Sequence, residues 1–245
     1  MTIANPSPRT SEPRHLAFRL GTLLLAASLG VYCVWLQLAE FSRAGIDSLP
    51  TDARTAATAT TERETALWAA SVGAIRGDLW AEAAYTYADL LFGPTPTSTN
   101  PNVTTTTTAA DARYSIDHAL NNAPHQSSVW LLLAGLNLPV RSAGGDALEA
   151  LKMSFYTGPS EHSLIPLRLR IATRADRFDD VQIREFTSRE LRALVKAKQN
   201  AAVVDAYNIA SPAGKLFIER TVDDLDPSFT KTLRAGSAAT HSIPN

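Results

Sequence analysis

One apolar stretch constrains this chain more than any other feature. Residues 20–38 read LGTLLLAASLGVYCVWLQL and contain no Asp, Glu, Lys, Arg or His. Because an α-helix rises about 1.5 Å per residue, the stretch forms a helix of roughly 28 Å, close to the ~30 Å hydrocarbon core of a bilayer. The sequence therefore predicts a single transmembrane helix at 20–38, preceded by a disordered tail at 1–19.

A cleaved signal peptide is the competing interpretation of this stretch. Such a peptide has a basic start, an apolar region of about 7–15 residues and a small-x-small cleavage site. Arg9, Arg14 and Arg19 supply the basic start, but the apolar run is longer and ends in bulky residues that include Tyr32 and Trp35. We therefore favour an uncleaved anchor.

The charges that flank the stretch predict its orientation. Residues 1–19 carry three Arg and one Glu, whereas residues 40–54 carry two Arg against three acidic residues. Lys and Arg concentrate on the cytoplasmic side of membrane helices, so we expect the N-terminus in the cytoplasm and the rest of the chain outside it. The predicted localisation is the inner (plasma) membrane, with a single pass and a periplasmic or otherwise extracytoplasmic C-terminal domain.

Small residues recur along one side of the predicted transmembrane helix. Thr22, Ala26 and Gly30 follow one another at intervals of four residues and therefore share a face. Faces with this spacing let two membrane helices approach closely. They form the candidate packing surface for another membrane protein, although small residues are also common in membrane helices generally.

The rest of the chain has the composition of one polar, helical domain. The whole sequence is 45% hydrophobic with a formal net charge of −1, and this near-neutral charge argues against nucleic acid as a partner. No stretch shows the sustained alternation of a β-strand, so the predicted fold is all-α. The single cysteine, Cys33, lies inside the apolar stretch, which leaves the domain without a disulfide or a multi-cysteine metal site.

Breaks and capping residues divide this domain. We predict a juxtamembrane segment at 40–60, a helical domain at 61–234 with a flexible Thr- and Pro-rich loop at 93–110, and a frayed C-terminus at 235–245. Helix starts are predicted where a Ser, Thr or Asp side chain can cap free backbone N–H groups. The candidates are Thr61 with Glu64, Ser160, Asp179 or Asp180, Ser211 before Pro212, and Asp226 before Pro227.

Two segments of the domain repeat one pattern of apolar and small residues. The pattern places them at relative positions 0, 4, 7 and 12, and it recurs after 35 residues. Positions 0, 4 and 7 share one helical face, where small residues let neighbouring helices pack closely. The first set is Ala112, Ile116, Ala119 and Pro124, followed by Trp130 and Leu133, and the second is Ala147, Leu151, Ser154 and Pro159.

This pattern resembles the tetratricopeptide repeat, a pair of helices that stacks on its neighbours to form a solenoid. The resemblance covers roughly residues 62–172. The repeats are degenerate, because Ala134 stands where the motif has glycine and Asn137 where it has tyrosine. The resemblance implies a short, irregular TPR-like solenoid, and bacterial membrane-anchored repeat proteins are similar in organisation. An ordinary helical bundle is the alternative.

Sequence motifs for catalysis are missing from the chain. It contains no H-E-x-x-H, C-x-x-C, G-x-x-x-x-G-K-[ST] or G-x-S-x-G, and no two of its five histidines lie three or four residues apart. We therefore expect no enzymatic activity, no cofactor, and no catalytic or metal-binding residues.

A basic segment supplies the candidate binding residues. Residues 165–200 carry nine Lys and Arg against five acidic residues, and Arg170, Arg174 and Arg177 have the spacing of one helical face. Guanidinium groups lined up in this way bind anionic groups through paired hydrogen bonds. The alternative is a solvated face whose arginines pair with neighbouring aspartates.

Together these features predict a non-enzymatic scaffold or assembly factor of a cell-envelope complex. It would bind protein partners through its helical-repeat surface, and another membrane protein is one candidate partner. The alternative function is an accessory factor that binds an anionic surface polysaccharide during its synthesis or export, through the arginine face.

Overall fold

The structure is a computed structural model that describes residues 12–92, 101–138, 144–175 and 180–241. All secondary structure assigned within these ranges is helical, which confirms the all-α prediction. The first helix, α1, is Glu12–Phe41, and its segment Ala17–Phe41 is long and apolar enough to cross a membrane. Residues 12–19 are therefore helical and not part of a disordered tail, because no Gly interrupts the chain between Glu12 and the apolar run.

A non-helical segment connects α1 to the domain. Helix α2, Ala53–Ala59, begins at Asp52, whose carboxylate accepts hydrogen bonds from the backbone N–H groups of Arg54 and Thr55. A 3₁₀ helix, Thr60–Glu62, continues directly into α3, Arg63–Val72. The predicted capping box of Thr61 with Glu64 is therefore wrong: the chain is already helical there, and the Thr61 hydroxyl donates to the Thr58 carbonyl instead.

The next helices are α4, Gly77–Tyr85, a 3₁₀ helix at Ala88–Leu91, and α5, Pro101–Asn122. The predicted loop at 93–110 needs correction over its second half, since residues 101–110 are helical, while residues 93–100 lie outside the described part. A proline at the first helical position is pre-organised for a helix start. No Gly or Pro follows it before residue 122, so helix α5 can extend through the threonines.

Helix α6, Ser127–Asn137, packs against α7, Gly144–Thr157. A 3₁₀ helix at His162–Leu164 then leads into α8, Ile165–Arg174, and no side chain caps either start. The predicted Ser160 cap is therefore wrong. Pro166 already occupies the first turn of α8, where its missing N–H costs nothing.

Four helices complete the chain: α9, Val181–Lys196, α10, Asn200–Ile209, α11, Pro212–Asp223, and α12, Pro227–His241. The caps predicted at Asp180, Ser211 and Asp226 are confirmed, since each side chain accepts hydrogen bonds from backbone N–H groups of the first turn. Helix α12 runs through residues 235–241, which the sequence analysis expected to be frayed.

The repeat pattern describes which residues are buried. Its positions 0, 4 and 7 lie in the core in both segments, whereas the two prolines are exposed just beyond the ends of α5 and α7. Trp130 is only half-buried, and its ring N–H donates to the Pro124 carbonyl, 2.7 Å away. The buried set is Ala112, Ile116, Ala119, Leu133, Ala147, Leu151 and Ser154. The solenoid arrangement itself stays a prediction.

Two clusters of buried side chains form the core, and α8 contributes to both. Leu167 and Ile171 belong to the larger cluster, which gathers residues from α1 to α9. Ile165 and Leu169 belong to the smaller cluster, which α8 builds with α9 to α12. Helix α8 is thus apolar on two sides, and it also carries the fully buried Arg168 and the half-buried Arg170 and Arg174.

Candidate functional site

Two of the three predicted binding arginines lie together on α8. The guanidinium carbon of Arg170 is 5.0 Å from the ring centroid of Phe92, and Nη1 of Arg174 lies 3.4 Å from the Leu91 carbonyl oxygen. Both side chains are half-buried, so they do not form the freely solvated face that the alternative interpretation expected. Arg177 lies outside the described residues.

A cavity of about 200 Å³ opens beside Arg170. Helix α8 supplies one wall and α10 another, and the segment before α2 completes the lining through Thr51. One carboxylate, that of Asp205 on α10, also lines the cavity. The full lining is Thr51, Pro166, Leu167, Arg170, Ala202, Asp205 and Ala206.

The electrostatics of this cavity favour an added negative charge at Arg170. Burial lowers the pKa of Arg170, the positive charge of Arg174 lowers it further, and Asp205 opposes both effects. The Nε atom of Arg170 is buried and has no hydrogen-bond partner. A buried donor without an acceptor is costly, and a carboxylate or phosphate oxygen is the strongest acceptor for a guanidinium.

A second arrangement of charges joins α1 to the domain. Arg76 Nη1 lies 2.8 Å from Glu40 Oε2 at the end of α1, and Arg76 Nη2 lies 2.6 Å from Asp78 Oδ2. Arg43, two residues beyond α1, donates to Glu82, whose side chain is buried. These five residues are called the junction network below.

The pKa values of the junction network follow from these contacts. The hydrogen bond from Arg76 holds the pKa of Asp78 below its usual value. Burial raises the pKa of Glu82, and the bond from Arg43 opposes that rise. The bond to Glu82 in turn raises the pKa of Arg43. Since each cation contacts at least one carboxylate, the network keeps α1 attached to α4 while its members are charged.

The sequence analysis missed a buried ion pair. The guanidinium of Arg168 is fully buried, and its Nη1 lies 3.0 Å from Glu190 Oε1 on α9. It also donates to the side chain and the carbonyl of Ser154 and to the Gly158 carbonyl. A signal did exist, because residues 164, 168 and 171 have the spacing of one helical face, and the first and last of them are core positions.

The described residues offer no arrangement typical of a reaction centre. Within the described ranges, no group of three or more His, Cys, Asp or Glu side chains is placed to hold a metal ion. His118 stacks on the ring of Trp80 with 4.4 Å between centroids, which is a packing contact. The small residues Thr22, Ala26 and Gly30 lie exposed along α1.

Comparison of the sequence with protein-family models finds no match. Comparisons with curated proteins and with solved structures find no match either. The fold therefore defines the class of the protein on its own: an all-helical chain with one N-terminal helix that is apolar and long enough to span a membrane.

Proposed function

We propose that this protein is a single-pass membrane protein that acts as a non-enzymatic scaffold or assembly factor of a cell-envelope complex. Helix α1 would cross the inner (plasma) membrane with its N-terminus in the cytoplasm. The helical domain would then lie in the periplasm or its equivalent and bind protein partners.

The junction network carries this proposal. An apolar helix that merely targeted the chain for export would need no contacts with the folded domain. Here Glu40, the penultimate residue of α1, bonds Arg76, and the neighbouring Ala39 is fully buried. The end of α1 thus packs against the folded domain, and this continuity supports a retained anchor over a cleaved leader.

The membrane part of the proposal has a direct test. The full-length protein should stay in the membrane pellet after alkaline carbonate extraction, and its mature N-terminus should precede residue 20. A mature chain that starts beyond residue 38 would refute the anchor.

The Arg170 cavity favours one specific alternative, binding of an anionic polysaccharide. Arg170 lines the cavity and has an unpaired buried donor, and a second cation, Arg174, lies outside the lining, one helical turn away on α8. The same two groups would equally bind an acidic segment of a protein partner. The two functions therefore share one surface and differ in what occupies it.

Affinity purification of the full-length protein from detergent-solubilised membranes distinguishes these functions. We expect a defined protein partner under the scaffold proposal and co-purifying polysaccharide under the alternative. The Arg170→Gln/Arg174→Gln variant should stay folded and lose the partner, because exposed or half-buried arginines without ion pairs contribute little to stability.

A matched control removes the same charge elsewhere. Arg184 and Arg192 are exposed on α9. The Arg184→Gln/Arg192→Gln variant should retain the partner, so equal losses in both variants would indicate a general charge effect. Full retention of the partner by the Arg170→Gln/Arg174→Gln variant would exclude this cavity as the binding site.

A further inference from the structure

The turn between α3 and α4 exposes an apolar side chain beside the end of α1. Ile75 in this turn is 63% exposed, and Trp68 on α3 is 48% exposed. Trp68 lies in the second half of α3 and the turn with Ile75 follows this helix directly, so both exposed side chains lie near the C-terminal end of α3 and form one apolar edge. Neither residue belongs to the Arg170 cavity or to the junction network.

Contacts on both sides of Ile75 fix the height of this turn relative to α1. A Cβ placed on Gly73 would lie 3.4 Å from the Cβ of Ala39, and Arg76 bonds Glu40. The turn therefore lies level with residues 39 and 40. Because a residue adds at most about 3.6 Å of chain, Ile75 lies within roughly 7 Å of Gly73.

This height corresponds to the surface of the bilayer. The predicted membrane span ends at residue 38, and Ala39 follows it by about 1.5 Å along the helix axis. The headgroup region extends about 5–7 Å beyond the hydrocarbon core on each side. Trp and other partly apolar side chains concentrate in that region, where they contact acyl chains and headgroups together.

We infer that the apolar edge of Ile75 and Trp68 rests in the headgroup layer of the membrane that α1 spans. The inference builds on the proposed membrane anchoring and adds a lipid-contacting surface of the domain to it. The occupant is lipid because the turn that carries Ile75 lies beside residues 39 and 40, which directly follow the predicted membrane span. The domain would then lie on the membrane surface in one fixed orientation.

Spin labels on single cysteines test this contact in the full-length chain. Cys33 is the single cysteine of the sequence, so Cys33→Ser gives a cysteine-free background. Ile75→Cys and Trp68→Cys add labels at the apolar edge of this background. Matched controls are Val181→Cys and Leu216→Cys, at positions that are 75% and 55% exposed. The wild-type Cys33 carries a label inside the anchor.

The labelled proteins are placed one copy per nanodisc, in phosphatidylethanolamine and phosphatidylglycerol. Collision of each label with a water-soluble nickel complex and with oxygen is then measured by electron paramagnetic resonance. We expect the Cys33 label to be shielded from nickel and the Ile75 label to be several-fold less accessible to nickel than both controls. The Trp68 label should show a similar reduction in accessibility to nickel.

Each other result has a distinct meaning. If the Cys33 label is shielded but the Ile75 label is as accessible as the controls, the anchor stands and the lipid contact is refuted. If the Cys33 label is accessible to nickel, the anchor fails and the lipid contact fails with it. Shielding of Ile75 only in discs that hold two copies would identify the edge as a protein–protein interface and overturn the inference.

Discussion

Removing Glu190 should destabilise the protein more than removing its partner Arg168. In the Glu190→Leu variant, the fully buried guanidinium keeps its charge, because arginine does not lose its proton in proteins. A buried ion left without its partner costs about 3–5 kcal/mol. That is a large share of the roughly 5–15 kcal/mol that holds a typical domain folded.

The Arg168→Met variant should lose less stability than Glu190→Leu, because the groups that it leaves unpaired can be neutralised or keep other partners. Burial already raises the pKa of Glu190 to about 7, so this carboxyl can bind a proton once its partner is gone. The Ser154 and Gly158 carbonyls also keep backbone partners, since they accept from the N–H groups of Gly158 and Glu161. We expect a loss of roughly 1–3 kcal/mol, the cost of a few buried hydrogen bonds.

A double-mutant cycle at pH 8 measures both effects. Urea unfolding of the full-length protein in detergent, followed by helical circular dichroism, gives the free energy of unfolding of each variant. The Arg168→Met/Glu190→Leu variant should be more stable than Glu190→Leu alone, because it buries no unpaired charge. Equal losses in the two single variants, or additive losses in the double variant, would refute this reasoning.

Three further outcomes follow from the described contacts. The folded pKa of Glu190, about 7, exceeds its unfolded value of 4.5, so the free energy of unfolding should fall by up to about 3 kcal/mol as pH rises between these values. Urea titrations at several pH values measure this slope, and Glu190→Gln should remove it. Gly214→Ala should lower the melting temperature more than Gly135→Ala. The Cβ added at residue 214 would lie 2.1 Å from the Thr173 backbone oxygen, whereas the Cβ added at residue 135 would meet the side chain of Leu91, which can move. Trp130→Ala should lower the free energy of unfolding by less than the ~3–5 kcal/mol expected for a fully buried Trp. A loss within that range in urea unfolding would show that Trp130 packs more tightly than its partial exposure indicates.

Local signals predicted the later helix starts well. Asp180, Ser211 and Asp226 cap their helices through contacts within three residues, and sequence spacing determines such contacts. Helix α10 was missed because no Ser, Thr or Asp side chain caps its start. The second half of the predicted loop at 93–110 was misread because threonine was taken as a loop residue.

The candidate sites depend on contacts that sequence spacing does not reveal. Arg76 bonds Glu40 from 36 positions away, and Arg170 meets Phe92 only because the fold brings α8 against the end of a 3₁₀ helix. The arginine spacing on α8 did predict that residues 170 and 174 share a face. It could not predict that both side chains are half-buried or that Arg170 lines a cavity.

Helix α8 couples the unfolding of the two core clusters. Leu167 and Ile171 hold it in the larger core and Ile165 and Leu169 in the smaller one, so neither core can melt without exposing the other. A ligand bound at Arg170 on the same helix would therefore raise the stability of both cores together, by an amount that grows with its concentration. Amide hydrogens on either side of α8 would then slow their exchange in parallel, and occupancy of the cavity could be read from helices that never touch the ligand.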